Sequence, residues 1–309
     1  MSEASPRRLD FIVIGVQKGG TTSLWRYLRD HPGIAMPVYK EAPIFCAEED
    51  RIPRLLAELL SELARDKPRA KLGKVAAHYM MGKNSVSVEV IAERIARLLP
   101  EVRLIALLRD PIERAMSQYR MSVRRGLESR SFEQVVARQL EPEQLAIARA
   151  APTETNSYVV QGEYGRILAA YRALLPAEQV HVEMTADLER EPAEVLDRVM
   201  EFIGLEPGYR PAGLGTHHHR GGASRRIDSE AEAQLRTFMK EEVWPALQPD
   251  DRSTRKAFQF FLETWNIVPD DELPDLASAL RQRLEAHYRA DAERLATLDI
   301  AAPWLTAGG

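Results

Sequence analysis

Residues 9–24 read LDFIVIGVQKGGTTSL. Phe11–Val16 is apolar and β-branched between Asp10 and a glycine-rich turn, which predicts a short buried strand. A helix should follow from about Thr22 to Asp30, where DHPG ends it. Strand, glycine loop and helix in that order aim backbone N–H groups and a helix N-terminus at an anion. A nucleotide-triphosphate loop reads G-x-x-x-x-G-K-[ST], its lysine on the terminal phosphates and its hydroxyl on magnesium. Gly15 and Gly20 keep that spacing and Thr22 supplies the hydroxyl, but Thr21 stands where the lysine belongs. The only lysine of the loop is Lys18, inside it. The loop should therefore grip one phosphate, with Lys18 beside the next group along. Glycines alone require no ligand; a lysine and two threonines among them point to one.

Outward from this stretch, helical and apolar segments alternate. Residues 52–65 and VEVIAERIARLL carry leucine or isoleucine at helical spacing, and VRLIALL reads as a fully buried strand of parallel type. KLGKVAAHYM looks extended, PVYKEAPIFC reads as a loop or a short extended piece, and QVHVEM as a strand. Helices are expected after Asp110, around 131–149 and 163–175, and at 192–203. Strands separated by helices predict an α/β fold with a central parallel sheet flanked by helices and right-handed crossovers. From about residue 225 the pattern is helical only. One domain is expected, residues 1–309, with a helical insertion at roughly 225–280 and a helical C-terminal part.

RLIALLRDPIERAMSQYRM is the second informative stretch. Asp110 suits an N-cap, Pro111 the first helical position, and Glu113 at N3 completes a capping box. Arg109 then stands at the carboxyl end of a strand, where open α/β sheets place ligands. Ser117 follows two turns into the helix on the same side. An arginine fork and a hydroxyl suit a phosphate monoester, although Arg109 also suits a salt bridge. The apolar strand ending in Asp also mimics a Walker B strand, which keeps a kinase in play.

GVQKGGTTSLWRYLRDHPGI resembles the 5′-phosphosulfate loop of sulfotransferases that use 3′-phosphoadenosine 5′-phosphosulfate (PAPS), closer to their glycan-modifying and bacterial branch, the heparan-sulfate type. The Arg109–Ser117 stretch resembles that family's 3′-phosphate motif. The resemblance implies a P-loop-like three-layer fold. It puts Lys18 on the 5′-phosphate and the bridging oxygen, Thr21 and Thr22 with Gly19, Gly20 and Ser23 around the 5′-phosphate, and Arg109 and Ser117 on the 3′-phosphate. It extends over nearly the whole chain. Tyr164 is placed near the adenine, RGGASRR resembles the late loop that closes over the phosphates through Arg220, Gly221 and Gly222, and HYRADAERLATLDIAAPW is similar to the closing helix. The insertion has no counterpart.

Sulfuryl transfer needs positioning and charge stabilisation, by analogy with phosphoryl transfer. Lys18 would neutralise the leaving phosphate, the product being adenosine 3′,5′-bisphosphate, and no metal is implied. The acceptor, a hydroxyl or amine, needs a general base. Glu41 in YKEAPIF resembles the catalytic glutamate of the heparan-type enzymes, although His-Phe-Phe is replaced here by APIF. His78 is the second candidate, since phenol-type enzymes draw a histidine from the corresponding strand. Lys74 resembles the lysine of that strand and would contact the acceptor or the sulfuryl group. Both bases have plainer readings, Glu41 as a surface carboxylate paired with Lys40 and His78 as a satisfied strand-end histidine.

HHH at 217–219 lacks partners at metal-ligand spacing and reads as a pocket rim or a solvated loop. Cys46 is the single cysteine, so no intramolecular disulfide forms, and it reads as a packing residue. The chain carries 42 Lys and Arg against 46 Asp and Glu, a net charge of −4 that argues against general nucleic-acid or anionic-membrane binding. No run approaches the ~20 apolar residues of a membrane span, and the first ten residues hold no signal-type apolar stretch. Taken as complete, the chain is expected in the cytoplasm; its Ala, Arg, Leu and Glu usage suggests a bacterial, GC-rich source. The leading reading is a PAPS-dependent sulfotransferase acting on a sugar, lipid or secondary metabolite. The alternatives are a P-loop small-molecule kinase using ATP and magnesium, and a nucleotide-binding protein with a decayed site. The acceptor and the oligomeric state stay open.

Overall fold

β1 (Phe11–Gly15) is the middle strand of a five-stranded sheet. It lies between β3 (Lys71–Val75) and β4 (Arg103–Leu108). With β2 (Ile34–Ala35) and β5 (Val180–Met184) outside them, the order is β2-β3-β1-β4-β5 and every pairing is parallel. The computed structural model describes residues 7–83, 85–215, 224–225, 229–246, 258, 267–268 and 276–305.

Alternation along the strands splits the core into two layers. Ile12, Ile14, Leu104, Ala106 and Leu108 pack against α2 (Ile52–Asp66), α3 (Val88–Leu98) and α7 (Tyr164–Arg172). Phe11, Val13, Ile105 and Leu107 pack on the other face against α1 (Thr21–Arg29) and α9 (Pro192–Phe202). Burying each Val, Leu, Ile or Phe side chain contributes about 1.5–3 kcal/mol, so both faces of the sheet are strongly specified. A third cluster joins α4 (Pro111–Arg124), α5 (Phe132–Gln139) and α6 (Pro142–Ala150) to α11 (Ser278–Thr297).

The strand order decides where a ligand goes. From β1 the chain turns toward β2, and from β4 it turns the opposite way toward β5. Adjacent parallel strands whose exits diverge leave a crevice beyond their carboxyl ends. That crevice is bordered by the loop at residues 16–20 and by Arg109.

Several local expectations are corrected. The KLGKVAAHYM segment is extended only to Val75; Ala77–Met80 is a 3-10 turn, its Ala77 N–H taken by the Glu41 carboxylate. The expected helix at 131–149 is two, because Pro142 opens a new helix after Leu140 caps the first. A short helix, α8 (Thr185–Arg190), precedes α9. Beyond residue 224 the chain is not purely helical, since β6 (Ser224–Arg225), followed in sequence by α10 (Ser229–Phe238), pairs antiparallel with β7 (Ile267–Val268). Among the described residues, no helix is long and apolar enough to cross a membrane.

Candidate active site

The loop after β1 is clasped from two sides. Val16 N–H donates to the Leu107 carbonyl at 2.9 Å, and Thr185 Oγ1 at the start of α8 donates to the Gly19 carbonyl at 2.9 Å. A Cβ on Gly19 would stand 2.8 Å from the Leu107 oxygen, so only glycine lets the loop lie on β4. Gly20 then caps α1 at φ 85, and no side chain caps the helix. No acidic residue occupies the first turn either. The amino end of α1 thus keeps its unsatisfied N–H groups and positive dipole for a ligand. Thr21 is buried in this turn, with Thr22 and Ser23 half-buried beside it.

Lys18 adopts φ 70, a left-handed conformation that costs a non-glycine residue about 1–3 kcal/mol and is found at ligand clamps. Burial, followed by the fields of Arg124, Arg125, Arg109 and Lys40, lowers its pKa to about 7. Four cations therefore surround a fifth with no acid among these influences. Three of these four also meet a carboxylate: Arg109 with Glu113, Arg125 with Glu154 and Lys40 with Glu41.

Arg109 closes the second side of the crevice. Its Nη1 donates to the Lys18 carbonyl at 3.5 Å, which puts the two predicted anion grips side by side on one edge of the sheet. Asp110 caps α4 through its Oδ1, accepting from the N–H groups of Ile112 and Glu113 at 2.8 and 2.9 Å. The return half of the expected capping box is absent: the Glu113 carboxylate turns to Arg109, accepting from Nε and Nη2 at 3.1 Å each. Ser117, half-buried, lies one turn beyond Glu113 on the same face of α4.

The two base candidates are neighbours. Glu41 pairs through an isolated parallel bridge with Val75, which places it over the turn carrying His78. Its Oε1 accepts from Lys40 Nζ at 2.5 Å and its Oε2 from Ala77 N–H at 3.2 Å. His78 Nδ1 lies 3.3 Å from the same Oε2, off the line of a well-aligned hydrogen bond. The other ring nitrogen, Nε2, is 3.4 Å from Lys83 Nζ. An ammonium only donates, so Nε2 accepts and the ring proton sits on Nδ1, facing Glu41. Burial opposes ionisation of Glu41, but His78 and Lys40 outweigh it and bring the carboxyl to about 2.

Two expected ligand contacts are corrected. Lys74 is fully buried, its Nζ donating to the Ala42 carbonyl and, at 2.8 Å, to Tyr79 Oη. It props the segment carrying Glu41 from within the core rather than meeting an acceptor. Tyr164 is fully buried as well, its ring edge against Trp304 at 5.6 Å. Its hydroxyl donates to the Arg109 carbonyl at 2.9 Å, so it braces the Arg109 backbone from within the core instead of lining the crevice. Arg220, Gly221, Gly222 and the histidines at 217–219 lie outside the described residues.

Sequence reasoning missed Arg124, Arg125 and Glu154. Arg124 follows Ser117 by seven residues, two helical turns, and that spacing is the signal that places it on the same face of α4. Glu154, by contrast, comes from a distant loop. Its Oε1 accepts from Gln17 Nε2 at 3.4 Å and lies 3.7 Å from Arg125 Nη1. Nothing local in the sequence announces it.

A family model described as the sulfotransferase domain matches residues 8–213. The chain belongs to the sulfotransferase domain family. Its relatives within the family include the human bifunctional heparan sulfate N-deacetylase/N-sulfotransferase 3, 24% identical over 92% of this chain and 32% of that protein. Human heparan sulfate glucosamine 3-O-sulfotransferase 3A1 is 27% identical over 67% of this chain and 47% of that protein. The chain thus spans a third to a half of the length of these two relatives. The fold matches a solved sulfotransferase from Alicyclobacillus acidocaldarius with a TM-score of 0.62 at 22% identity, covering 97% of this chain and 99% of the other. Among the described residues, no group of three His, Cys, Asp or Glu side chains is placed to hold a metal ion.

Proposed function

We propose that this chain transfers the sulfuryl group of PAPS to a hydroxyl or amine of a glycan or small-molecule acceptor, leaving adenosine 3′,5′-bisphosphate. The observation that carries the reading is the contact of Arg109 with the Lys18 carbonyl, because two adjacent grips suit one doubly phosphorylated adenosine. The donor set fits that group: an uncapped helix end for the 5′-phosphate, an arginine fork and the Ser117 hydroxyl for the 3′-phosphate, and surplus positive charge around Lys18. When bound, the cofactor supplies an activated sulfuryl group on its 5′-phosphate.

The chain's own residues then have separate tasks. The α1 amino end and Thr22 orient the 5′-phosphate, and Lys18 holds a proton where negative charge grows on the departing oxygen. Glu41, ionised throughout the neutral range, takes the acceptor proton at a carboxylate oxygen. His78 lies beside that carboxylate, its Nδ1 3.3 Å from Oε2, and is a positioning residue in this scheme. Lys40 couples the two ends, since it contacts Glu41 and its field reaches Lys18. Anions bound at Lys18 draw on Lys40 and return basicity to Glu41. The heparan-type relatives support a sugar acceptor first.

The test is transfer of label from radiolabelled PAPS to a panel of unsulfated glycan oligosaccharides and simple phenols, with a chelator present throughout. Labelled product with the native chain and none with Lys18→Ala is expected. Equal labelling by both proteins, or phosphoryl transfer from labelled ATP in a parallel assay with magnesium and no chelator, would overturn the reading.

A further inference from the structure

The Arg109 guanidinium is already engaged through all three nitrogens in the free protein. Nε and Nη2, the side-on fork that takes a phosphate through two parallel bonds, both point at Glu113 Oε2 at 3.1 Å, and Nη1 reaches the Lys18 carbonyl at 3.5 Å. Tyr164 pins the Arg109 backbone through its hydroxyl. Glu113 has left its own capping position to make this contact, and Asp110 alone caps the helix. The pair is exposed on the carboxylate side, with Glu113 at 51% and Arg109 at 31% side-chain accessibility, so water and salt weaken it. An incoming phosphate therefore meets an arginine whose better face is already filled by an anion.

Resting on the reading of Arg109 as the 3′-phosphate grip, we infer that Glu113 is a built-in counter-ion that the 3′-phosphate must displace, lowering cofactor affinity and hastening release of the bisphosphate product. Dianionic phosphate outcompetes the carboxylate because it carries more charge and more acceptor oxygens. The displaced carboxylate stays nearby on the first turn of α4 and repels the bound phosphate. Its return to Arg109 offers the product a route off. The opposite role is also well defined: a glutamate that merely orients Arg109 would strengthen binding.

The two roles differ in the sign of one measurement. Titrations of adenosine 3′,5′-bisphosphate and of adenosine 5′-monophosphate, which lacks the 3′-phosphate, into the native chain and the Glu113→Gln and Glu113→Ala variants are read by calorimetry, with dissociation rates by stopped flow. Both variants should bind the bisphosphate about three- to fivefold tighter and release it more slowly, the order expected from removing one exposed ion pair, while the monophosphate is unmoved. The gain should shrink at high salt. Weaker or unchanged bisphosphate binding in folded variants would overturn the inference. If Arg109→Ala leaves native-level bisphosphate binding, the reading of Arg109 itself fails, which is a distinct outcome.

Discussion

Lys18 carries the charge logic of the site. Its pKa of about 7 means that much of it is neutral in the free protein at neutral pH, while an adjacent phosphate favours the charged form. Binding an anion therefore raises that pKa and takes up a proton, and affinity falls as pH rises through 7. Calorimetry at pH 8 in two buffers of different ionisation enthalpy should show net proton uptake with adenosine 3′,5′-bisphosphate, absent in Lys18→Arg. Equal uptake by both would place the proton elsewhere. Glu41 makes a separate prediction. Glu41→Gln should lower turnover by about 10²–10⁴-fold, the span of general-base effects, with bisphosphate affinity unchanged. Because its carboxyl lies near 2, Glu41 gives no acid limb to the rate between pH 4 and 9. Near-native turnover in Glu41→Gln, with activity lost in His78→Asn, would make the histidine the base.

At the scale of elements, the glycine loop and α4 do most of the positioning. Gly20→Ala forces a side chain into a left-handed cap, so a loss of about 1–2 kcal/mol in denaturant unfolding is expected together with weaker bisphosphate binding. A variant as stable as the native chain would show that the cap is not held at that angle. What was legible here follows from locality. The loop, Arg109 and Ser117 were readable because each task is fixed by neighbours within a few residues of one strand–helix junction. The capping box at Glu113 failed because a charged partner competed for the same carboxylate, a choice that spacing alone does not rank. Lys74 and Tyr164 were misplaced for another reason. Their burial depends on Tyr79, Ala42 and Trp304 arriving from other segments, and the sequence of either helix or strand is silent on that.

At the scale of the molecule, the parallel order β2-β3-β1-β4-β5 brings two motifs 91 residues apart to one crevice. The alternation of strands and helices foretold the parallel sheet, but not that the exits of β1 and β4 would diverge. The match over residues 8–213 gives the domain family, and the residues at the crevice carry the proposed chemistry. In the function proposed here, both grips hold a single adenosine bisphosphate without a metal. Metal-free titration of adenosine 3′,5′-bisphosphate into the native chain, Lys18→Ala and Arg109→Ala tests it most directly. One molecule should bind per native chain, each variant should bind more weakly, and Arg109→Ala should lose the preference over adenosine 5′-monophosphate. Tighter binding of ATP with magnesium, or bisphosphate binding indifferent to Arg109, would contradict it.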